Sequence, residues 1–300
     1  MNEREIKSSM GTFEQTALRA EQQLLSADLY YGHGMQNAYD EAVYAAQFCA
    51  NLPIMDEIDW DAAYPEDAHV RLEAMIAARC ATRKPLAYLT HEAYLYGYQF
   101  YVDERVIVPR SFIAELILDG FSPWVVPEAV TDILELCTGS ACLAIMAADV
   151  FENAQVDALD ISADALAVAR RNVADYELNA RVHLIESDLY QALSADKKYD
   201  IIFTNPPYVN STSMAKLPNE YRAEPEIALA GGEDGMDLVR IIVRDAARHL
   251  KPNGILVVEI GNEYEFAVRA FKDLPLTWLE VSGSDDGVFL LTHADLQKFA

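Results

Sequence analysis

Four residues that follow an apolar run could hold a planar nitrogen. The stretch reads YDIIFTNPPYVN, residues 199–210, and its polar end is Asn205, Pro206, Pro207 and Tyr208. The side-chain oxygen of Asn205 and the carbonyl of Pro206 can each accept one N–H of an NH₂ group, and Tyr208 can stack on a flat substrate. The two prolines make the loop stiff. An ordinary turn after a strand uses the same residue types, so the rest of the chain must decide.

The chemistry that such a loop supports is methyl transfer to an amide. A carboxamide nitrogen is a poor nucleophile because its lone pair is delocalised into the carbonyl group. Two acceptors on its N–H groups would point the lone pair at a sulfonium methyl group and favour the positive charge that grows on nitrogen. Positioning would carry most of the rate, with Asn205, Pro206 and Tyr208 as catalytic residues and Pro207 as a further substrate contact.

A second segment indicates a nucleoside site. ELCTGSACLAI (135–145) is typical of a strand, a tight turn and a helix start, in which Gly139 lets the backbone approach a ligand. Asp160 ends the next predicted strand about 20 residues further on, which suits a carboxylate that accepts from two ribose hydroxyls. Many α/β proteins have such a turn, and the full GxGxxG pattern is absent because Ala141 stands where a second glycine would be. A ligand that contains adenosine but no phosphate fits better than a dinucleotide. S-adenosylmethionine (SAM) is the common ligand of that kind.

Asp188 and Leu189 follow the third predicted strand of this part of the chain, in IESDLYQAL. The carboxylate of Asp188 could accept from an adenine amino group while Leu189 lies against the ring. The alternative is that Asp188 caps the start of a helix, which aspartate does well. Both interpretations stay open on these residues alone.

The amino-terminal part is predicted to be helical. Thr12 and Gln15 have the spacing of a capping box. Leu18, Leu25 and Leu29 then recur at helical intervals. Up to about residue 89, no stretch predicts a strand, so we expect a small helical domain.

The rest of the chain alternates between strands and helices. Two β-rich runs, 96–102 and 105–109, flank the pair Asp103-Glu104 and predict a hairpin that joins the domains. From about residue 112, apolar runs alternate with helical stretches, which predicts an α/β fold with a parallel sheet and helices on both faces. The strands are expected at 131–137, 155–160, 181–187, 199–204 and 254–260, followed by a terminal hairpin.

Composition excludes several classes. The 300 residues carry a net charge of −25 that is spread over both parts of the chain. That charge disfavours direct DNA binding and would attract a basic partner, although on the charge alone solubility is the better explanation. No run approaches the roughly 20 apolar residues of a membrane span, and the amino terminus has no signal-peptide core. We therefore expect a cytoplasmic protein that is not bound to a membrane.

The cysteines indicate neither zinc nor a disulfide framework. The four residues, Cys49, Cys80, Cys137 and Cys142, form no CxxC pair. We expect buried, reduced thiols and no metal.

Four stretches together resemble one enzyme family. TNPPYV, ELCTGSACLAI, ALDIS and EPEIALAGGEDGMD are similar to the protein-(glutamine-N5) methyltransferases, and the resemblance covers nearly the whole chain. It implies a seven-stranded, Rossmann-like, SAM-dependent methyltransferase domain (111–300). A helical substrate-recognition domain (1–92) would precede it, joined by a β-hairpin linker (93–110). NPPY alone is less specific, because adenine-N6 DNA methyltransferases also use it on a planar NH₂ group.

Other residues resemble one branch of this family. YGHGMQNAYDEA and YVDERVIVPRSFIAELI look like the PrmB-type branch, which methylates uL3, the third protein of the large ribosomal subunit. The release-factor branch usually has an acid-threonine-acid pattern after its Pro-Arg, whereas here Pro109-Arg110 is followed by Ser111. The resemblance thus implies a basic ribosomal protein as partner. The alternatives are methylation of release factors, methylation of adenine N6 in DNA, and a non-catalytic role in ribosome assembly. The oligomeric state is left open, a homodimer being one option.

The resemblance also implies roles residue by residue. It places Asp160 on the ribose, Asp188 and Leu189 by the adenine, Asn205 between cofactor and glutamine, and 206–208 on the glutamine. The expected SAM loop is Cys137, Thr138, Gly139, Ser140 and Ala141. The family usually has glycine where this chain has Ala141, so a close approach of the backbone to the ligand is in question there.

Overall fold

The computed structural model describes residues 11–54 and 56–298, and the chain divides into two compact units. The helical unit extends to Glu92 and also includes the later segment Pro218–Ala223. The sheet unit comprises Ala93–Leu217 and the residues from Glu224 onward. The sequence alone assigned 218–223 to the second domain.

Among its described residues, the helical unit contains three long helices, one short helix and a 3-10 turn. They are α1 (Phe13–Ser26), α2 (Ala38–Cys49), α3 (Glu66–Thr82), α4 (Leu86–Thr90) and a 3-10 turn over Asn219–Ala223. The capping box at the start of α1 is confirmed, since Thr12 and Gln15 each accept a hydrogen bond from the backbone of the other.

The buried face of α1 is lined mainly by small side chains. Leu18 and Leu25 are 40% and 61% exposed, whereas Ala17, Ala20 and Leu24 are buried. Small side chains face the core because α1 packs along α2, and alanine lets two helices approach closely. The leucine spacing indicated the helix but did not show which face is buried.

A hairpin is present, but its turn is not where the sequence predicted it. Strands β1 (Glu92–Leu95) and β2 (Tyr98–Tyr101) are joined by Tyr96-Gly97, and both turn residues have positive φ, as a type I′ turn requires. Residues 105–109 form no strand. Asp103 instead accepts a hydrogen bond from the backbone N–H of Arg105 at 3.1 Å and pairs with its guanidinium, which makes a separate turn.

The sheet unit contains seven strands with helices on both faces, which confirms the predicted fold class. Its elements in chain order are α5 (Ile113–Leu118), β3 (Asp132–Leu136), α6 (Cys142–Val150), β4 (Gln155–Asp160), α7 (Ala163–Asp175), β5 (Val182–Glu186), β6 (Tyr199–Thr204), α8 (Ser211–Met214), α9 (Asp237–Ala246), β7 (Leu250–Glu259), α10 (Tyr264–Ala270), β8 (Thr277–Trp278), β9 (Val288–Thr292) and α11 (His293–Gln297). Three-residue 3-10 turns lie at Pro127–Ala129 and Glu226–Ala228.

Strand order creates a crevice beside β3. The order is β5-β4-β3-β6-β7-β9-β8, with the first five strands parallel and β9 antiparallel to both neighbours. The chain runs outward from β3 through β4 to β5 and then returns to place β6 on the other side of β3. Ligands bind at such a switch point, outside the carboxyl ends of the strands.

Two hydrophobic clusters hold the sheet in place. Ile133 and Ile201 face α6 on one side, and their neighbours Leu134 and Ile202 face α9 on the other. Burying each such side chain stabilises the fold by about 1.5–3 kcal/mol. The rigid sheet therefore supports the loops at its carboxyl edge.

All four cysteines are free. Cys49 and Cys142 are buried as expected, while Cys80 and Cys137 are only half-buried. Among the described residues, no helix is long and apolar enough to cross a membrane, and no group of His, Cys, Asp and Glu could hold a metal ion.

Candidate active site

The loop between β3 and α6 turns sharply three times. Cys137, Gly139 and Ala141 have φ of 58°, 56° and 62°, in the left-handed region that favours glycine. No atom lies within 4 Å of where a Cβ on Gly139 would be. The loop therefore presents an open backbone surface at Gly139.

Ala141 takes the conformation of a glycine without approaching the cavity. Its side chain is fully buried in the hydrophobic cluster under α6. The left-handed conformation costs an alanine about 1–2 kcal/mol, and burial of the methyl group offsets about 0.8 kcal/mol of it. The alanine thus affects the stability of the loop rather than access to a ligand.

Asp160 is held by the loop that it faces. Its Oδ2 accepts from the Gly139 N–H at 2.8 Å and its Oδ1 accepts from the Ser162 N–H at 2.9 Å. Burial raises the pKa of this carboxyl, and hydrogen bonds from the backbone of Ser162, Gly139 and Ile161 oppose the shift. Each oxygen keeps acceptor capacity, so the carboxylate can receive two neighbouring hydroxyls.

A cavity of about 260 Å³ opens at the carboxyl edge of the sheet. Seven of the predicted site residues line it: Cys137, Gly139, Asp160, Asp188, Leu189, Asn205 and Pro207. The structure thus brings Asp160 of the predicted nucleoside site and Asn205 of the predicted amide site into one space. Pro206 and Tyr208, two of the three predicted catalytic residues, do not line it. The side chains of Thr138 and Ser140 are buried beneath the loop and do not line it.

The sequence did not indicate most of the other walls of the cavity. They include Arg105, Val106 and Ile107 after the hairpin, Ile161, Ser162 and Ala165 after β4, and Pro225, Ile227, Ala228 and Leu238. These walls are largely apolar, as in most small-molecule sites.

Leu189 reaches the cavity through a strained turn. It has φ of 48° and is buried, and its carbonyl accepts a hydrogen bond from the Ser187 hydroxyl at 2.6 Å. No helix begins after Asp188, so the alternative interpretation of this aspartate as a helix cap is wrong. Its carboxylate accepts from the Gln191 side chain at 2.6 Å and lines the cavity.

Asn205 offers an unused amide to the cavity. Within the described part of the chain, its half-buried side chain makes no hydrogen bond. The two prolines that follow it are buried. The chain then runs extended, because the Val209 N–H donates to Leu229 and the Val209 carbonyl accepts from Gly231 at 2.8 and 2.9 Å. Asn205 therefore projects from a loop that is fixed on both sides.

An ion pair holds another wall in place. Both carboxylate oxygens of buried Glu224 accept from the Arg110 guanidinium, at 2.5 and 2.7 Å, and the Val108 N–H donates to Glu224 at 3.0 Å. This bidentate contact anchors the start of the segment whose Pro225 and Ile227 line the cavity.

Two buried polar residues support the loop after β3 from below. The Asn172 amide donates to the Ser140 carbonyl at 2.9 Å and accepts from the Tyr101 N–H at 2.8 Å. Glu135 accepts the Thr138 hydroxyl at 2.5 Å, and burial raises its pKa to about 8. A glutamate inside the apolar strand ILEL is a signal in the sequence for a buried polar side chain that supports a loop. No residue near Asn172 in the sequence gives a comparable signal.

Fold comparisons agree with this architecture. The family model described as "Methyltransferase small domain" matches residues 121–218. The catalytic domain of hMettl16, solved with the MAT2A 3′UTR hairpin 6, is similar with a TM-score of 0.50 at 12% identity, covering 75% of this chain and 80% of that one. The doubly wound sheet and the family model thus indicate a Rossmann-like methyltransferase domain.

Similar sequences identify the family. Ribosomal protein uL3 glutamine methyltransferases are 52% identical in Burkholderia pseudomallei, 49% in Neisseria gonorrhoeae and 40% in Francisella tularensis. These similarities cover 90–92% of this chain and 88–92% of those proteins. The chain belongs to the family of ribosomal protein uL3 glutamine methyltransferases, as its motifs indicated.

Proposed function

We propose that this protein transfers a methyl group from SAM to the side-chain amide nitrogen (N5) of a glutamine in ribosomal protein uL3. One observation carries the proposal: the unused amide of Asn205 lines the same cavity as the carboxylate of Asp160. The first group suits a planar NH₂ and the second suits a ribose. The names of the similar bacterial enzymes support the choice of uL3.

The residues present fit SAM. Asp160 receives the ribose hydroxyls, the open backbone at Gly139 admits close approach, and Leu189 and Ile161 offer apolar surface to an adenine. When bound, SAM supplies an electrophilic methyl group on a sulfonium.

The reaction depends on how this chain orients the glutamine. Asn205 Oδ1 and the Pro206 carbonyl each accept one N–H of the side-chain amide, which directs the nitrogen lone pair toward the incoming methyl group. The same hydrogen bonds strengthen as positive charge develops on nitrogen. Buried Pro206 and Pro207 reduce the entropy lost on binding, and the ring of Tyr208 lies against the flat substrate. Transfer would break the sulfonium–methyl bond and leave the cofactor as a neutral thioether. The methylated nitrogen would then lose one proton to water, so no strong base is needed beforehand.

Residues 1–92 are proposed to recognise the substrate protein, with 93–110 as the linker and 111–300 as the catalytic domain. The net charge of −25 suits a basic partner. A ribosomal protein substrate also places the enzyme in the cytoplasm.

Mass spectrometry tests the proposal directly. The purified protein is incubated with SAM and uL3, or with a release factor, and tryptic peptides are searched for a methylated glutamine. We expect methylation of uL3 and none of the release factor. SAM binding without transfer to either protein would instead support a non-catalytic role in ribosome assembly.

A further inference from the structure

Three glycines surround Tyr208. A Cβ on Gly231 would lie 2.6 Å from the Tyr208 Cα, and one on Gly261 would lie 2.6 Å from the Cε2 of its ring. A Cβ on Gly235 would overlap the Tyr208 carbonyl oxygen. The optimal separation of non-bonded carbon atoms is about 3.5–4.0 Å, and a real Cβ is essentially never found within 3.0 Å of another non-bonded heavy atom. Any side chain at these positions would therefore displace Tyr208.

A buried carboxylate fixes the same loop two residues later. The Asn210 amide donates to both oxygens of Glu263, at 2.8 and 2.9 Å, and both residues are buried. The Asn210 Oδ1 accepts from the Ser213 N–H at 2.9 Å, so the amide has one preferred orientation. Hydrogen bonds to a carboxylate are the stronger kind.

Gly261 and Glu263 belong to one short turn after β7. That turn therefore touches the NPPY loop at two points, under the ring of Tyr208 and at the amide of Asn210. Neither Gly261 nor Glu263 lines the cavity. Tyr208 and Asn210 do not line it either, whereas Asn205 and Pro207 of the same loop do. Any effect on a ligand must therefore pass from Tyr208 and Asn210 along the loop to Pro207 and Asn205.

We propose that Gly261–Glu263 is a positioning element for methyl transfer, with Glu263 acting through Asn210 to fix the NPPY loop. This inference rests on the proposed function. Gly261 sets the height of the Tyr208 ring and so the plane in which the substrate amide lies. Glu263 sets the direction in which the loop leaves the cavity. A shift of about 1 Å in such a group lowers the rate about 10²-fold.

The test measures single-turnover methyl transfer to uL3 and, separately, SAM affinity by calorimetry. Glu263→Ala should slow transfer roughly 10–100-fold while SAM affinity stays within about twofold. Glu263→Gln retains an oxygen for the Asn210 amide and should recover most of the rate. Hydrogen exchange at the Val209 amide should rise in Glu263→Ala, because that amide pairs with Leu229 only while the loop stays in place.

Two controls separate positioning from general damage. Glu115→Ala also removes a carboxylate that accepts two hydrogen bonds, from Ser282 and Tyr96, but away from the cavity. Gly261→Ala should slow transfer, whereas Gly97→Ala should not. Both glycines have positive φ, and only Gly97 has open space around it.

Each outcome is decisive. Transfer at the wild-type rate by Glu263→Ala overturns the inference alone, and so does a loss of rate that matches a loss of SAM affinity. A wild-type enzyme that does not methylate uL3 overturns the proposed function and this inference with it. If Glu263→Ala does not fold, the test uses Glu263→Gln and the two glycine variants instead. Equal rates of methyl transfer in Gly261→Ala and Gly97→Ala would then overturn the inference.

Discussion

The backbone N–H of Gly139 donates a 2.8 Å hydrogen bond to Oδ2 of Asp160. This contact joins the loop after β3 to the end of β4 and presents the carboxylate to the cavity. Because the same carboxylate is placed to receive the ribose, loop geometry and cofactor affinity depend on one side chain.

Asp160→Ala should weaken SAM binding by about 2–4 kcal/mol, since two hydrogen bonds to a charged group contribute about 1.5–3 kcal/mol each and are not fully additive. Calorimetry measures the change. Asp157→Asn is a matched control on the same strand, because its partners are Tyr199 and Lys197 and it does not line the cavity. Unchanged affinity in a folded Asp160→Ala protein would remove this residue from the site.

Asn205→Ala should bind SAM nearly normally and transfer methyl groups about 10²–10³-fold more slowly, the usual effect of losing one preorganised polar group. One substrate N–H then loses its acceptor as positive charge develops on the nitrogen. Single-turnover kinetics with uL3 measures the rate, and Asn153→Ala, an exposed asparagine bonded to the Glu128 carbonyl, serves as the control. A wild-type rate in Asn205→Ala would show that the chemistry happens elsewhere.

Glu259 should make stability depend on pH. Burial raises the pKa of this carboxyl from 4.5 to about 7, and Ser111 and Phe112 donate to it at 2.5 and 3.0 Å. The folded state therefore keeps a proton that the unfolded chain releases, and this contribution to stability is lost as pH rises from 4.5 to about 7. The loss is at most about 1.4 kcal/mol per pH unit.

Glu259→Gln isolates that contribution. The free energy of unfolding of the variant, relative to the wild type, should rise between pH 4.5 and 7 and stay level above pH 7. Urea unfolding at four pH values measures it. A difference that does not change with pH would mean that Glu259 has the same pKa in both states.

Arg79 should be essential to the helical unit. It is 1% exposed, donates to the Glu41 carboxylate at 2.6 Å and donates to the Tyr30 carbonyl at 3.1 Å. Burial raises the pKa of Glu41 even with this partner present. Arg79→Met leaves that carboxylate without its closest cation, and breaking a buried pair in this way destabilises a fold by about 3–5 kcal/mol.

Urea unfolding checks this expectation, with Arg269→Met as control. Arg269 pairs with Glu265 on an exposed helix surface, and such pairs contribute about 0–1 kcal/mol. Equal effects of the two substitutions would contradict the role of Arg79.

The acidic surface should steer a basic substrate. A net charge of −25 raises the rate of encounter with a positively charged protein, and salt screens that attraction. Stopped-flow association with uL3 should therefore slow as ionic strength rises, while dissociation changes little. Association rates that are flat across ionic strength would leave the charge as an aid to solubility only.

Local sequence pattern was sufficient to predict strands of the sheet unit. Strands β4 (Gln155–Asp160) and β6 (Tyr199–Thr204) have the predicted bounds. Strands buried on both faces are nearly continuous apolar runs, so their ends are visible as polar residues. The motif residues Asp160 and Asn205 were visible for the same reason, because each ends such a run.

Local sequence pattern was not sufficient where tertiary packing decides the structure. Asp103-Glu104 resembles a hairpin turn, yet the turn is at Tyr96-Gly97, where a tyrosine adopts positive φ. Leu18 and Leu25 have helical spacing, yet the close approach of α2 favours the alanine face of α1. The spacing of residues along the sequence does not specify which element packs against a given helix or strand.

By itself the sequence indicated the fold class and the family, and it predicted the two half-sites, because each depends on residues that are close together in the chain. Only the tertiary structure decided that Pro225 and Ile227 form a wall of the cavity, that Glu224 anchors this wall through Arg110, and that Glu263 holds Asn210. The physical reason is that these partners come from distant parts of the chain. Strand order and long-range partners follow from how apolar faces pack, and no local pattern of residues specifies that packing.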